Sequence, residues 1–394
     1  YSPRAARHDS VKLRSRQYSL DERRWMNEGK VFLFCAFLRY LLWIVLNIPE
    51  LFLFWHRDSF GVCISDALSD SVRSIFYFVF LKSVWRDSMK DSEYMELALM
   101  LAKNGLGWTA PNPMVGAVLV KDGEIIGQGW HEKCGEPHAE RNALANCKKS
   151  PQGATLYVTL EPCCHQGRQP PCVDAILEAG IRRVVVGSAD PNPLVAGKGI
   201  RILREHGIEV TEHMLEEECD RLNEVFFHYI QTKRPFVVMK YAMTMDGKIA
   251  TYTGASKWIT SETARAHVQE QRHKYTAIMV GVGTVLADNP MLNCRMEGRK
   301  NPIRIICDTH LRTPLDTKIV ATAKEIQTIL ATCCADRKKQ EAYLAAGCQI
   351  LQVNEKNGHV DLQELMQKLG EQEIDSILIE GGGTLHWTAL EEGI

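Results

Sequence analysis

The sequence of 394 residues has almost no charge imbalance: 47 Lys and Arg stand against 48 Asp and Glu, a formal net charge of −1. A general nucleic-acid binder is usually basic, so this balance argues against one. Long apolar runs are scarce as well. The two aromatic-rich candidates, residues 31–46 and 74–85, fall short of the roughly 20 apolar residues that a bilayer-spanning helix needs. Arg39 interrupts the first, and Asn47-Ile48-Pro49-Glu50 comes after it. A secretory signal is not evident, because the apolar core begins too late. No Gly-x-Gly-x-x-Gly fingerprint opens a βαβ unit, which removes the simplest dinucleotide-binding reading. Cysteine is not scarce, at 13 residues, but the thiols are dispersed over a long chain. Free thiols in a reducing compartment, the cytoplasm, fit better than a disulfide scaffold.

Residues 1–88 do not resemble the rest of the chain. The chain starts at Tyr1, and Arg and Ser crowd the first thirty residues. Three readings stand: an anchor or targeting piece, an interfacial helix pair, or upstream sequence translated from a mistaken gene start. The last is favoured, with Met89-Lys90-Asp91 as the expected true start. From Ser92 the pattern is regular. Tyr94, Leu97, Ala98, Met100 and Leu101 mark a helix face ending near Gly105. Strands are expected over 115–121 and 125–130, joined by Asp122-Gly123, a strong hairpin signal. Next come a helix over 138–147, a strand over 155–160, a helix over 172–179, a strand over 184–187, a helix over 199–206 and a strand over 208–211. Alternation of this kind implies a sheet covered on both faces. One helix over 215–230, with Leu222, Val225, Phe226 and Tyr229 buried, is expected to bridge to a second unit beginning at Arg234-Pro235. There, strands are expected over 236–242, 277–282, 303–308, 326–332, 350–353 and 376–380. Helices run to about His273, capped by Thr260 or Ser261, and over 362–369. Residues 283–290 read as a loop.

The most informative stretch is 138–172. His138-Ala139-Glu140 opens it, and Glu161-Pro162-Cys163-Cys164-His165-Gln166-Gly167-Arg168-Gln169-Pro170-Pro171-Cys172 closes it. Zinc takes N and S donors tetrahedrally, and a catalytic site leaves the fourth position to water. Zinc lowers the pKa of that water to about 7. Glu140, two residues from His138, is then the carboxylate that moves protons. His-x-Glu followed by Pro-Cys and a second Cys resembles the cytidine/deoxycytidylate deaminase superfamily. The usual close Cys pair is opened here, and Cys172 after Pro170-Pro171 is the expected partner of Cys163. Cys164 is not expected to bind metal. With Pro111-Asn112-Pro113-Met114-Val115-Gly116 upstream and Asp190-Pro191-Asn192-Pro193 downstream, the spacing is similar to the deaminase half of the bifunctional riboflavin-biosynthesis deaminase/reductases. His165 is read as either substrate-side or loop-shaping, Asn112 as a contact to ribose or base, and His131 as a loop histidine without a role.

The resemblance continues through Lys240–Lys248, Ser256–Thr260 and Thr284–Pro290 to the strand ending in Gly381-Gly382-Gly383-Thr384. It implies a cytidine deaminase-like three-layer α/β/α domain over 89–212, a linker helix over 213–234, and a dihydrofolate reductase-like α/β domain over 235–394 that uses NADPH. The family pattern carries further strands past the position of Ile394, so this second domain is expected to be incomplete. By resemblance, Ala242, Trp258, Thr284, Asp288, Gly382, Gly383 and Thr384 contact the cofactor. Lys240, Ser256, Thr260, Arg272, Leu292, Arg295 and Glu380 contact the substrate. Arg272 and Arg295 offer planar forks suited to a sugar phosphate.

The implied activity is deamination of a diaminopyrimidine ribosyl phosphate and then reduction of its ribosyl chain. A homo-oligomer acting on small molecules, not nucleic acid, is expected. An alternative is a tRNA- or nucleotide-editing zinc deaminase, which would want a basic channel and close Cys-x-x-Cys spacing. A membrane-attached binding protein using residues 1–88 is a third reading.

Overall fold

The first helix, α1 (Asp91–Ala102), buries Tyr94, Met95, Ala98, Leu99 and Ala102, one face of a 3.6-residue period. Its start is held by Glu93, whose Oε2 accepts the Lys90 N–H at 2.6 Å. The structure, a computed structural model, describes residues 89–394. The three readings of residues 1–88 lie outside the described residues.

α1 packs on a five-stranded sheet of order β2-β1-β3-β4-β5. Its strands are β1 (Gly116–Lys121), β2 (Glu124–Trp130), β3 (Thr155–Leu160), β4 (Arg183–Ser188) and β5 (Glu209–Thr211). β1 runs antiparallel to both β2 and β3, and β3, β4 and β5 are parallel. Asp122 and Gly123 join β1 to β2 with φ of 52° and 76°, the left-handed pair that a tight hairpin requires. Alternate residues of β1 serve opposite faces. Val118 and Val120 meet α1, while Ala117 and Leu119 join the core under α2 (Ala139–Ala145), α3 (Cys172–Glu178) and α4 (Lys198–Glu205). The result is the expected three-layer α/β/α domain.

Two close approaches set where the reactive residues stand. At Gly129 on β2, a Cβ would lie 2.3 Å from the Ala143 nitrogen, so only glycine lets α2 sit this near the sheet. At Gly199 on α4, a Cβ would lie 2.2 Å from the Pro162 carbonyl oxygen. Beside it the buried Glu161 carboxylate accepts from Gly197 N (2.9 Å), Gly199 N (3.0 Å), Asp190 N (3.3 Å) and Ile200 N (3.3 Å). The C-terminal end of β3 is thereby fixed to α4.

The single bridging helix expected over 215–230 is two: α5 (Glu216–Leu222) and α6 (Glu224–Thr232). They meet at Asn223, whose φ of −109° and ψ of 21° break the helix. The buried Asn223 amide accepts from Met114 N at 2.8 Å and donates to Met114 O at 3.0 Å. Phe226 and Tyr229 are buried as expected, but Leu222 and Val225 are only half-buried.

The second sheet is parallel throughout, in the order β10-β9-β8-β7-β13-β6. Its strands are β6 (Phe236–Met239), β7 (Ala277–Gly281), β8 (Ile303–Cys307), β9 (Thr328–Thr332), β10 (Gln349–Gln352) and β13 (Ser376–Gly381). A two-strand hairpin, β11 (Glu355–Lys356) and β12 (His359–Val360), stands apart. α7 (Glu262–Lys274) is capped by Ser261, whose Oγ accepts the Ala264 N–H at 3.2 Å. The loop expected over 283–290 is helix α8 (Val282–Asp288), ended by Asn289 in a left-handed conformation, φ 41°. Gly283 and the closing Asn289-Pro290 suit a loop, but Val282 and Val285 bury against the sheet and win over propensity. Helices α9 (Lys318–Ala321), α10 (Arg337–Ala346), α11 (Leu362–Glu371) and α12 (Gly383–Glu392) complete the layers.

Among the described residues no helix is long and apolar enough to cross a membrane, and the described cysteines are free thiols.

Arg304 on β8 is fully buried. It donates to the carbonyls of Met291, Ile319, Thr322 and Ile326 and to the hydroxyls of Thr322 and Thr328. Burial pulls its pKa down to about 10. Arg304→Met leaves these acceptors unpaired, and each orphaned buried group costs ~1–3 kcal/mol. The expected outcome is a loss of about 3 kcal/mol or more in the second half, read as an earlier urea midpoint. An unchanged midpoint would contradict this account.

Candidate functional site

Strand β3 ends at Leu160, and Glu161-Pro162 carries the chain to Cys163 over the end of the sheet. There two helices begin. His138 occupies the position before α2, with extended backbone, and Cys172 is the first residue of α3. Their donors converge. His138 Nδ1 lies 3.5 Å from Cys163 Sγ and 3.4 Å from Cys172 Sγ, and the three candidate ligand atoms lie within 4.8 Å of one another. Bonds of ~2.0–2.3 Å to a tetrahedral zinc ion put neighbouring ligands roughly 3.3–3.8 Å apart. The donor set and the spacing both fit that ion.

The nine-residue separation is bridged by backbone anchors. Cys172 N–H points at Cys163 Sγ at 3.4 Å. Arg141 on α2 donates to the carbonyls of Pro170 (3.3 Å) and Pro171 (2.8 Å), and Gln169 to that of Gly135 (2.7 Å). Cys164 turns away, 3.8 Å from the Leu194 carbonyl, and is outside the donor group.

The electrostatics suit ligation. A hydrogen bond from Cys172, aided by His138, holds the Cys163 thiol well below its usual range, at about 4. Cys172 is pushed up, first by that bond to Cys163 and then by burial. Glu140 is 3% exposed, and burial raises its pKa above the ordinary carboxylate value. A carboxyl raised in this way is suited to accept and return a proton.

His138, Glu140 and Cys163 face a cavity of about 330 Å³. The expected Asn112 lines it, with Nδ2 at 3.4 Å from His131 Nε2. His131 stands in the loop just past β2, as expected, and lines the cavity too. It is buried, its Nδ1 faces the Pro137 carbonyl at 3.2 Å, and its ring meets the His138 ring edge-on at 5.2 Å. Burial lowers its pKa, favouring the neutral ring, and sequence spacing carries no signal for that burial. His165 lines the cavity with a buried Nδ1 that has no protein partner. Asp190 and Asn192 also line it, and burial pushes the Asp190 carboxyl up to about 6. The Asp-Pro-Asn-Pro motif that carries both is plain in the sequence, but its residue types alone assign it no role. Phe226, Tyr229, Ile230, Lys233 and Glu373 close the remaining wall.

A second cavity, about 440 Å³, lies at the C-terminal ends of β7 and β13. Gly281 and Gly283 line it after β7, and Gly382 after β13. A Cβ on Gly382 would meet Thr284 Oγ1 at 3.3 Å. Of the residues expected to contact the cofactor, Thr284, Asp288, Gly382 and Thr384 line this cavity, and Gly383 opens α12 beside them. Exposed backbone N–H groups at a helix start suit a phosphate, so the cradle fits a phosphorylated dinucleotide. Ala242 and Trp258 do not line it. Trp258 is 72% exposed with the Arg265 guanidinium 4.5 Å from its ring centre, and neighbouring Lys257 pairs with Asp288 at 3.5 Å.

The expected substrate residues of this half are not gathered into one cavity. Arg272 and Glu380 meet as a bidentate pair, at 2.7 and 2.8 Å, and Arg272 Nη1 donates to the Asn293 carbonyl at 2.8 Å. The Arg272 fork is therefore already committed to a carboxylate. Leu292 is buried, Lys240 and Thr260 are half-buried, and Ser256 and Arg295 are exposed.

Both halves have known relatives. Residues 88–188 match the cytidine and deoxycytidylate deaminase zinc-binding region, and residues 235–394 match the RibD C-terminal domain. The chain is 61% identical over 307 residues to the riboflavin biosynthesis protein RibD of Actinobacillus pleuropneumoniae, covering 78% of this chain and 82% of that one. It is 49% identical over 304 residues to RibD of Aquifex aeolicus, covering 77% and 84%. A crystal structure of a diaminohydroxyphosphoribosylaminopyrimidine deaminase/5-amino-6-(5-phosphoribosylamino)uracil reductase from Thermotoga maritima matches with a TM-score of 0.70 and 43% identity, covering 76% and 83%. RibD of Acinetobacter baumannii matches with a TM-score of 0.70 and 41% identity, covering 77% and 83%. By sequence over most of its length and by fold in both halves, the chain belongs to the RibD family of riboflavin biosynthesis proteins.

Proposed function

We propose that the zinc-dependent deamination of a diaminopyrimidine ribosyl phosphate is carried by His138, Cys163, Cys172 and Glu140, and the NADPH-dependent reduction of its ribosyl chain by the cleft at Gly382. The enzyme is a bifunctional deaminase and reductase of riboflavin biosynthesis acting on small pyrimidine substrates. Residues 89–212 are assigned the first activity, 235–394 the second, and 213–234 the link between them. The observation that carries the reading is the convergence of one imidazole and two thiols beside a buried carboxylate.

A zinc ion held by His138, Cys163 and Cys172 supplies a Lewis acid that activates water near neutral pH. Asn112 and His131 hold the pyrimidine in place at the cavity wall. Glu140 would take a proton from the attacking water and pass it to the ring nitrogen, then take the second proton from the hydroxyl left on the ring carbon and give it to the departing amine as the ring carbonyl forms. Burial of Glu140 favours this shuttle, because the neutral and ionised forms then lie closer in free energy. In the second half NADPH supplies the hydride. Thr284, Asp288, Gly382, Gly383 and Thr384 bind and orient it, with Ala242 and Trp258 on the loop beside the cleft. Lys240, Ser256, Thr260, Leu292 and Arg295 are assigned to the sugar phosphate. The Arg272–Glu380 pair acts there as a unit, because its charge is internally balanced. A cytoplasmic homo-oligomer is the assembly we favour, the compartment being supported by the free thiols.

Three variants test this reading. Glu140→Gln retains zinc by elemental analysis and loses roughly 10²–10⁴-fold in deamination rate, the range for a general acid–base group. A wild-type rate in that variant removes the proton shuttle. Cys172→Ser loses zinc and deamination together; retained zinc would move the ligand elsewhere. Gly382→Val weakens NADPH binding about tenfold or more, ~1.4 kcal/mol, in a fluorescence titration, with deamination untouched. Unchanged NADPH affinity would place the cofactor in another cleft.

A further inference from the structure

The wall of the deaminase cavity that carries Asn112 is a poorly anchored piece of chain. Between α1 and β1, Pro111 and Pro113 have no N–H to offer. Asn112 N–H closes only a local turn to the Thr109 carbonyl at 2.8 Å. Further along, Val115 O accepts from His131 N at 2.9 Å. Met114, between these points, takes both backbone partners from a residue 109 positions away. Asn223 Oδ1 accepts its N–H at 2.8 Å, and Asn223 Nδ2 donates to its carbonyl at 3.0 Å.

This is the pairing a neighbouring β-strand would offer, supplied by one side-chain amide. Asn223 is 2% exposed and Met114 half-buried, so the two bonds are partly shielded from water. The break between α5 and α6 falls at the same residue. The same turn of chain then places Phe226 and Tyr229 of α6 in the cavity wall. Asn223 itself does not line the cavity.

We infer that Asn223 is a positioning residue of the deaminase site: its amide holds Met114, and through Met114 the Asn112 side chain, in register with His131 and the candidate metal ligands. The inference rests on the proposed assignment of Asn112 to the substrate. Asn223 touches no reacting atom and acts only through the loop.

The test uses the whole protein loaded with zinc. Asn223→Ala is expected to raise KM for the diaminopyrimidine ribosyl phosphate about tenfold, since misplacement of a contact by about 1 Å is costly, with kcat within about threefold. Zinc content and NADPH-dependent reduction in the same preparation stay at wild-type levels. A double-mutant cycle with Asn112→Ala separates positioning from general support. If Asn223 acts through Asn112, the double variant is no worse in KM than Asn112→Ala alone; independent roles would multiply. Should the alanine variant fail to fold, Asn223→Asp keeps the acceptor for Met114 N–H and loses the donor, and the same KM change is expected of it. An unchanged KM, multiplying effects in the cycle, or equal losses of deamination, reduction and zinc would each overturn the inference. If the wild-type protein itself does not deaminate this substrate, the assigned activity fails instead, and the two failures are distinct.

Discussion

The deaminase half depends on where strand β3 is made to stop. Glu161, one residue past its end, is bound by backbone N–H groups of Asp190, Gly197, Gly199 and Ile200. Such a carboxylate cannot shift without orphaning several buried donors. Pro162 stiffens the next step, and Cys163 emerges with its sulfur beside the starts of α2 and α3. The absence of a Cβ at Gly129 and at Gly199 lets α2 and α4 close on that point. The three candidate metal donors are therefore positioned by backbone packing and not by a local metal loop. This accounts for the tolerance of a nine-residue gap between the thiols. Arg141 and Gln169 hold the intervening turn from outside, so its length does not set the sulfur–sulfur geometry.

The cavity beside the candidate metal donors is not the property of the deaminase sheet alone. Linker residues Phe226, Tyr229, Ile230 and Lys233 and the second-half residue Glu373 form one wall. Several contacts fasten the halves there. Tyr229 donates to the Gly370 carbonyl at 3.0 Å, and Trp108 packs edge-on against His273 at 5.3 Å. Gly107 approaches His273 so closely that a Cβ would lie 2.5 Å from its carbonyl oxygen. Arg168 and Glu373 also pair, at 3.3 Å, but both are well exposed and the pair adds little stability. Shape at the interface, more than charge, keeps the wall in place.

In the second half the same logic runs on a parallel sheet. β7 and β13 are neighbours, and both end in glycine at the same edge. Parallel strands bring their C-terminal ends together, which is where open α/β sheets bind ligands. Gly281 and Gly382 thus line one cleft although they lie far apart in the chain, a relation that no local periodicity registers.

Much of this was readable from residue order. The hairpin at Asp122-Gly123, the alternation of strands and helices, and the His-x-Glu and Pro-Cys signatures are local patterns, and local patterns survive folding when burial agrees with them. His138, Cys163 and Cys172, which the fold brings together, could be named from that order, whereas the Gly382–Thr384 run was a weak local signal that took its meaning from the family resemblance. Tertiary contacts decided the rest. The expected single helix is interrupted at Asn223, whose side chain pairs with the half-buried Met114 backbone. Val282 and Val285 drew the stretch expected to be a loop over 283–290 into helix α8 by packing against the sheet. His131 became part of the cavity, and Arg272 was claimed by Glu380, through partners distant in the chain. A sequence records which groups a residue can bond to, but only the folded chain decides which of them arrives first and excludes water.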